Sequence, residues 1–436
     1  MYWIFISGLM LIFGLWITWN IFRTLRCPLG IFTIVWNGLF LLHNLHLVEY
    51  TGISPESGLI IMGSYMVFLM GSILGYSIKL KGEFGHIKED ELNRPIPLKS
   101  LEFNVVNIDE VNTVNKAIRF SLFFSNLGII LWLFQIVSRF GLKTLLNSSM
   151  YLNRVMISEH SNSFINYLIN VFSLGGSLLI GILVARGYGF KKSYIMIFLP
   201  TTTVALFTGQ RYMTIICILN FIAPLLVLGT GSGLEKVKSI KMKKMIVPVI
   251  ILVLFFVFVG NKRGSFEEFS VNTKLNNVVL SKTYTYLTGS FAAFSEQLRV
   301  WDGSLMLGAN TFLPLFKLTN SFGITKYDDS MLTMIDTGRP FTNIPMPFNV
   351  YSYLWDILFD WGYIGVFLLP LILGLASSYY WRICSVSKII SYRDIILSFT
   401  IVFLMYSFVS SITSFSTVWY AYIYALLSLK LFKKKN

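Results

Sequence analysis

The chain has 436 residues, 55% hydrophobic and only 13% charged, with a mean hydropathy of +0.66. A soluble domain carries about 25% charge, so this composition excludes a soluble globular protein and predicts an all-α polytopic membrane protein. The net charge of +15 would suggest nucleic acid in a soluble chain. Here it arises from basic residues gathered in alternate loops, and no nucleic-acid partner is expected.

Backbone polar groups find no water in hydrocarbon, so membrane-spanning segments are helices or closed strands. Uncharged runs such as Phe120–Ser138, Asn166–Ala185 and Met245–Gly260 do not alternate, and each approaches the ~20 residues that cross ~30 Å as a helix. Met1–Asn20 lacks a positive amino-terminal region and an Ala-x-Ala-like cleavage site, so it is expected to be the first span, not a removed signal. Spans are predicted at 2–22, 29–48, 58–78, 120–138, 166–185, 193–209, 212–234, 245–260, 362–381, 395–412 and 415–431. The last two rest on the uncharged run 395–429, which is too long for one straight span. Arg393 and Lys433–Lys435 both belong inside, so a turn is expected around Ser414–Thr417.

Orientation follows from the cations. Of 36 basic residues, 24 fall in the loops around Arg23, 79–119, 186–192, 236–244 and 382–393 and in the tail from Lys430. Those loops are placed in the cytoplasm. Three divisions result: transmembrane helices with a cytoplasmic connecting loop over 1–260, a large outer loop over 261–346, and a re-entry segment with the last helices over 347–436. Outer loops of such length usually carry function. This one holds eight basic and seven acidic residues and many aromatics, which suit a local core, the membrane interface or sugar stacking.

Motifs of soluble enzymes are missing: there is no Gly-rich phosphate loop and no His-Glu-x-x-His. Asp328-Asp329 lacks the surroundings of a metal pair, and no metal or cofactor is expected. His43 and His46 share a helical face and suit a hydrogen-bonded pair or an interface anchor better than a ligand set. Cys27, Cys217 and Cys384 are expected to be free thiols. The informative residues are cations on the outer side: Arg211 in the turn Gly209-Gln210-Arg211-Tyr212, Lys262 and Arg263 at a span end, and Arg299 and Arg339 in the large loop. Guanidinium binds phosphate oxygens bidentately and stays charged, so this set is the expected receptor for a lipid-linked diphosphate.

Three stretches resemble the O-antigen and capsule repeat-unit polymerases of bacterial surface polysaccharide synthesis. Thr208-Gly209-Gln210-Arg211 is similar to that family's Gly-x-Arg turn. Tyr286–Phe294, followed by Asn310–Phe316, resembles the opening of its large outer loop. Asn349–Asp356, running on to Asp360-Trp361-Gly362-Tyr363-Ile364-Gly365, resembles the return into the membrane. The resemblance implies a polymerase architecture of the membrane glycosyltransferase type in the bacterial inner membrane, with its active site on the periplasmic side. It also implies transfer of a growing glycan from undecaprenyl diphosphate to a hydroxyl of the next lipid-linked unit, without a sugar nucleotide. A chain-length co-polymerase and a flippase would be its partners beside the lipid-linked substrate.

Transfer of this kind benefits from a base at the acceptor hydroxyl and from cations at the departing diphosphate. Asp356 and Asp360, one helical turn apart, are the candidate bases, with Glu296 third. Tyr286, Trp301 and Asn349 are the candidate sugar contacts. Two alternatives stand beside this reading. The lipid-A O-antigen ligases share the layout but carry a His where this chain has Phe348. A flippase would show related halves or broken helices, to which Pro200 and Pro224 could contribute.

Overall fold

The structure is a computed structural model that describes residues 2–78, 108–158, 160, 162–228, 274, 278–324, 341–344, 347–387 and 389–431. In chain order it contains α1 (Tyr2–Phe22), α2 (Pro28–Phe32), a π turn (Thr33–Asn37), α3 (Gly38–Asn44), α4 (Pro55–Ser77) and α5 (Ile108–Phe140). Next come α6 (Leu142–Asn147), α7 (Met150–Ser158), α8 (Ser163–Ala185), a 3-10 turn (Lys192–Ile197), α9 (Leu199–Thr208) and α10 (Tyr212–Val227). The remainder is α11 (Val278–Val300), α12 (Leu313–Ser321), β1 (Thr342–Asn343), β2 (Pro347–Phe348), α13 (Tyr353–Val386), α14 (Tyr392–Tyr406), a 3-10 turn (Ile412–Ser414) and α15 (Ser416–Leu431). The protein is mostly helical, and among the described residues five helices, α1, α4, α5, α8 and α13, are long and apolar enough to cross a membrane. The expected span 245–260 lies outside the described residues, as do 79–107 of the expected cytoplasmic loop and 325–340 of the expected outer loop.

The chain divides into two compact units. Unit 1 comprises Met1–Pro95, Phe269–Arg382 and Phe403–Ser416. Its centre is aromatic: Phe32, Trp36, Phe40, Phe68, Phe291 and Tyr353 are all buried, with Phe32 4.4 Å from Phe68 and Trp36 5.3 Å from Phe291. Phe291, expected in the outer loop, therefore belongs to this core, and Phe294 is buried as well. α4 begins where Ser54 caps it, its hydroxyl accepting from Ser57 N at 3.1 Å, with Pro55 and Glu56 in the first turn. Lower down, α4 meets α13 through small residues. A Cβ on Gly71 would lie 2.1 Å from Leu371 O, one on Gly75 2.1 Å from Leu375 O, and one on Gly374 2.2 Å from Phe68 O. Without a hydrophobic drive between helices in lipid, such close backbone approach is what holds membrane helices together.

Unit 2 comprises Ile96–Glu268, Ile383–Val402 and Thr417–Asn436. α5 and α8 pack around Trp132, Ile136 and Ile169. α8 lies close against α10, where a Cβ on Gly181 would stand 2.6 Å from Phe221 O. Asn220 spans this layer, donating to Leu174 O at 3.1 Å and accepting from the Tyr422 hydroxyl at 2.5 Å. The expected span 193–209 is not one regular helix. A 3-10 turn ends at Ile197, and α9 starts with Pro200 in its first turn. The turn expected near Ser414–Thr417 is present as the 3-10 segment between α14 and α15.

Candidate site at the α13 hairpin

Within unit 1, α13 begins as a hairpin. α13 is broken at Gly362, whose backbone (φ 61°, ψ −157°) is outside the helical region and suits glycine alone. The path is read from the partners along α4. The Tyr353 hydroxyl meets Ser64 Oγ at 2.9 Å, yet ten residues later the Tyr363 hydroxyl donates to Glu56 at 2.6 Å, near the start of α4. From there the contacts run the other way, through Gly63, Gly71 and Gly75 to Arg382, which donates to the carbonyls of Tyr76 and Ile78 at 2.8 Å. Gly365 settles the geometry. Its Cβ would stand 3.0 Å from Ile357, eight residues back, a proximity no continuous helix allows. Residues 353–361 thus form a short arm that rises along α4, and 363–386 descend.

Both aspartates lie on the short arm, and both are buried. Asp360 accepts from Asn310 N at 2.9 Å and from Thr311 N at 2.5 Å, one amide to each oxygen. With Met306 N bonded to Phe359 O at 2.9 Å, these contacts fasten the loop 306–311 over the hairpin tip. That loop turns through Gly308 (φ 96°), where a Cβ would meet Trp361 at 2.7 Å. Asp356 serves the other side, accepting from Ser411 N at 2.8 Å, while Tyr353 N bonds Ser407 O at 2.7 Å. Charged hydrogen bonds of this kind are strong. They tie the two carboxylates to backbone on either side of the hairpin.

Glu296 is set differently. It lies on the last turns of α11, its side chain 18% exposed, and it pairs with Arg299 at 3.1 Å, whose own side chain is 60% exposed. The next residues reach the tip, where Trp301 stacks edge-on against Tyr363 at 5.6 Å. Tyr286 is half-buried on α11, 6.1 Å from Phe348, and the neighbouring Asn349 is exposed. Unit 1 therefore assembles Trp301, Asp360 and Tyr363 at the tip and Glu296 with Arg299 on the helix leading to it.

Arg211 belongs to unit 2. α9 ends where Gly209 takes a left-handed backbone (φ 68°) and returns its N–H to Ala205 O at 2.8 Å. Arg211 then opens α10 and is 92% buried, at 8% exposure. Lys262, Arg263 and Arg339, like Asp328 and Asp329, lie outside the described residues. His43 is a core histidine whose Nδ1 bonds Thr288 O at 2.9 Å, stacked on Tyr50. Burial pushes the Tyr50 phenol above its ordinary range, so it stays a hydroxyl against Thr288 Oγ1 at 2.9 Å. All three cysteines are buried free thiols.

Sequence reasoning did not anticipate the amides of Asn310, Thr311 and Ser411 or the Glu56–Tyr363 bond. The available signal was the glycine spacing in Asp360-Trp361-Gly362-Tyr363-Ile364-Gly365, since paired glycines beside bulky residues mark a turn and a close approach. No protein family, no curated protein and no solved structure matches the chain.

Proposed function

We propose that the protein polymerises lipid-linked oligosaccharide units on the outer face of a bacterial inner membrane. The growing glycan moves from undecaprenyl diphosphate to a hydroxyl of the next unit, within an eleven-span fold carrying a large outer loop. The observation that carries this reading is the re-entrant hairpin with its buried carboxylates and aromatic tip. The hairpin turns beside Glu56, just before the expected span 58–78, so its tip falls where a lipid-tethered glycan would meet water.

In this reading the acceptor hydroxyl loses its proton to Glu296 while its oxygen bonds the donor's anomeric carbon. The bond to the lipid diphosphate breaks, and that group leaves with the electron pair. Arg299, one helical turn from Glu296, takes the developing negative charge. Asp356 and Asp360 hold the hairpin in register, Trp301 and Tyr286 offer faces for sugar rings, and Asn349 offers an amide. Arg211 is the candidate phosphate contact of unit 2.

The hairpin also favours a second reading. Broken helices and re-entrant segments serve transport, so a flippase for the same lipid-linked unit draws on this observation too. Deleting the gene and resolving the surface glycan by size separates the two. Polymerase loss leaves single repeat units on the cell surface, whereas flippase loss leaves none.

A further inference from the structure

We infer that unit 2 carries a binding site for a phosphate ester, apart from the glycan-transfer reading. A cavity of about 340 Å³ is lined by Asp109, Asn112, Thr113, Asn115, Lys116, Arg119 and Lys191. Lys116 and Arg119 are three apart on α5, on the face that also carries Asn112 and Thr113. Lys191 arrives from a different element, just before the 3-10 turn 192–197. The wall between them is fixed: Tyr194, buried in that turn, donates its hydroxyl to Asn115 Oδ1 at 2.9 Å. Three cations face one carboxylate, so the cavity favours an anion. Its amide and hydroxyl side chains add neutral hydrogen-bonding groups of the kind that surround phosphate oxygens.

The height of the cavity says which anion. Arg119 is the last charged residue before the uncharged run Phe120–Ser138, so the cations stand where hydrocarbon gives way to headgroups. An anionic phospholipid meets that position with its phosphate, and a soluble phosphate ester carries the same group. The charge count places this end of α5 on the cytoplasmic side, where anionic lipid attracts basic clusters.

The test is titration of the detergent-solubilised full-length protein with phosphatidylglycerol, followed by native mass spectrometry. Saturable binding is expected. Lys116→Gln, Arg119→Gln and Lys191→Gln should each weaken it by roughly fivefold, and the triple variant by roughly a hundredfold, at about 1 kcal/mol per cation. Lys192→Gln, next to the cavity but not lining it, should bind as the unaltered protein does. Glycerol phosphate is added in parallel. Displacement of the lipid at millimolar concentration assigns the site to a soluble ester, and failure to displace assigns it to the headgroup. A triple variant that takes up phosphatidylglycerol and glycerol phosphate like the unaltered protein overturns the inference.

Discussion

At the residue scale, three carboxylates proposed for one role occupy different environments. Asp360 has an amide on each oxygen, Asp356 has the Ser411 amide, and Glu296 keeps some exposure and a guanidinium partner. Their substitution should therefore separate stability from rate. In Asp360→Asn one side-chain N–H faces a backbone N–H, leaving a buried donor unpaired at a cost of about 1–3 kcal/mol; the melting temperature in detergent should fall. Glu296→Gln should melt normally and lose on the order of 10²–10⁴ in transfer rate. A normal rate in Glu296→Gln would return the base role to the aspartates. The carboxylates were legible in the sequence as candidates, but their partners were not, since residues 310, 311 and 411 lie tens of positions away. The same holds in unit 2 for Arg186, which orientation reasoning counts only as a cytoplasmic cation. It forms a buried ion pair with Asp394 and also donates to Ser387 O and to Cys384 O, the last at 3.2 Å. Arg186→Met leaves that aspartate buried and unpaired, so it should cost about 3–5 kcal/mol, with Arg186→Met/Asp394→Leu recovering much of the loss. Thermal melting of both variants checks this.

Among elements, α1 was legible to the residue at 2–22, whereas α5 starts at Ile108, twelve residues before the expected span 120–138, because its charged first turns lie outside the uncharged run. α13 was legible in part: the expected span starts at 362, where the helix breaks, because Asp356 and Asp360 keep the stretch before it from reading as a span. That this stretch is itself helical and folds back against the longer arm depends on one backbone angle at Gly362, which hydropathy does not report. Glycines provide the test at this scale. Gly71→Ala drives a methyl group into the Leu371 carbonyl, which cannot rotate aside, and overpacking of this kind costs about 1–3 kcal/mol. Gly38→Ala meets nothing within 4 Å and should be neutral or slightly stabilising. Equal melting temperatures for the two variants would contradict the α4–α13 packing.

For the whole molecule, the basic residues and the packing of helix ends agree within each unit. In unit 1, Phe22 of α1 lies 4.7 Å from Tyr76 of α4 and 5.7 Å from Trp381 of α13, and all three ends were assigned to the cytoplasm by charge. In unit 2, Arg186 and Asp394 join two further ends so assigned. A cysteine at Ser304, exposed beside the hairpin tip, should therefore react with an impermeant thiol reagent on intact spheroplasts, and one at Ser239 only after lysis. The native cysteines are replaced first in that experiment. The proposed function rests on short motifs alone, because glycan transfer from a lipid carrier would need no metal cluster or nucleotide loop to mark the sequence. The most direct measurement is therefore chemical. The purified protein in proteoliposomes is given lipid-linked repeat units, and the glycan products are separated by size. A ladder of multiples with release of undecaprenyl diphosphate is expected, lost in Glu296→Gln and in Arg211→Ala. Repeat units that stay single with the unaltered protein, or that cross the bilayer without joining, would contradict it.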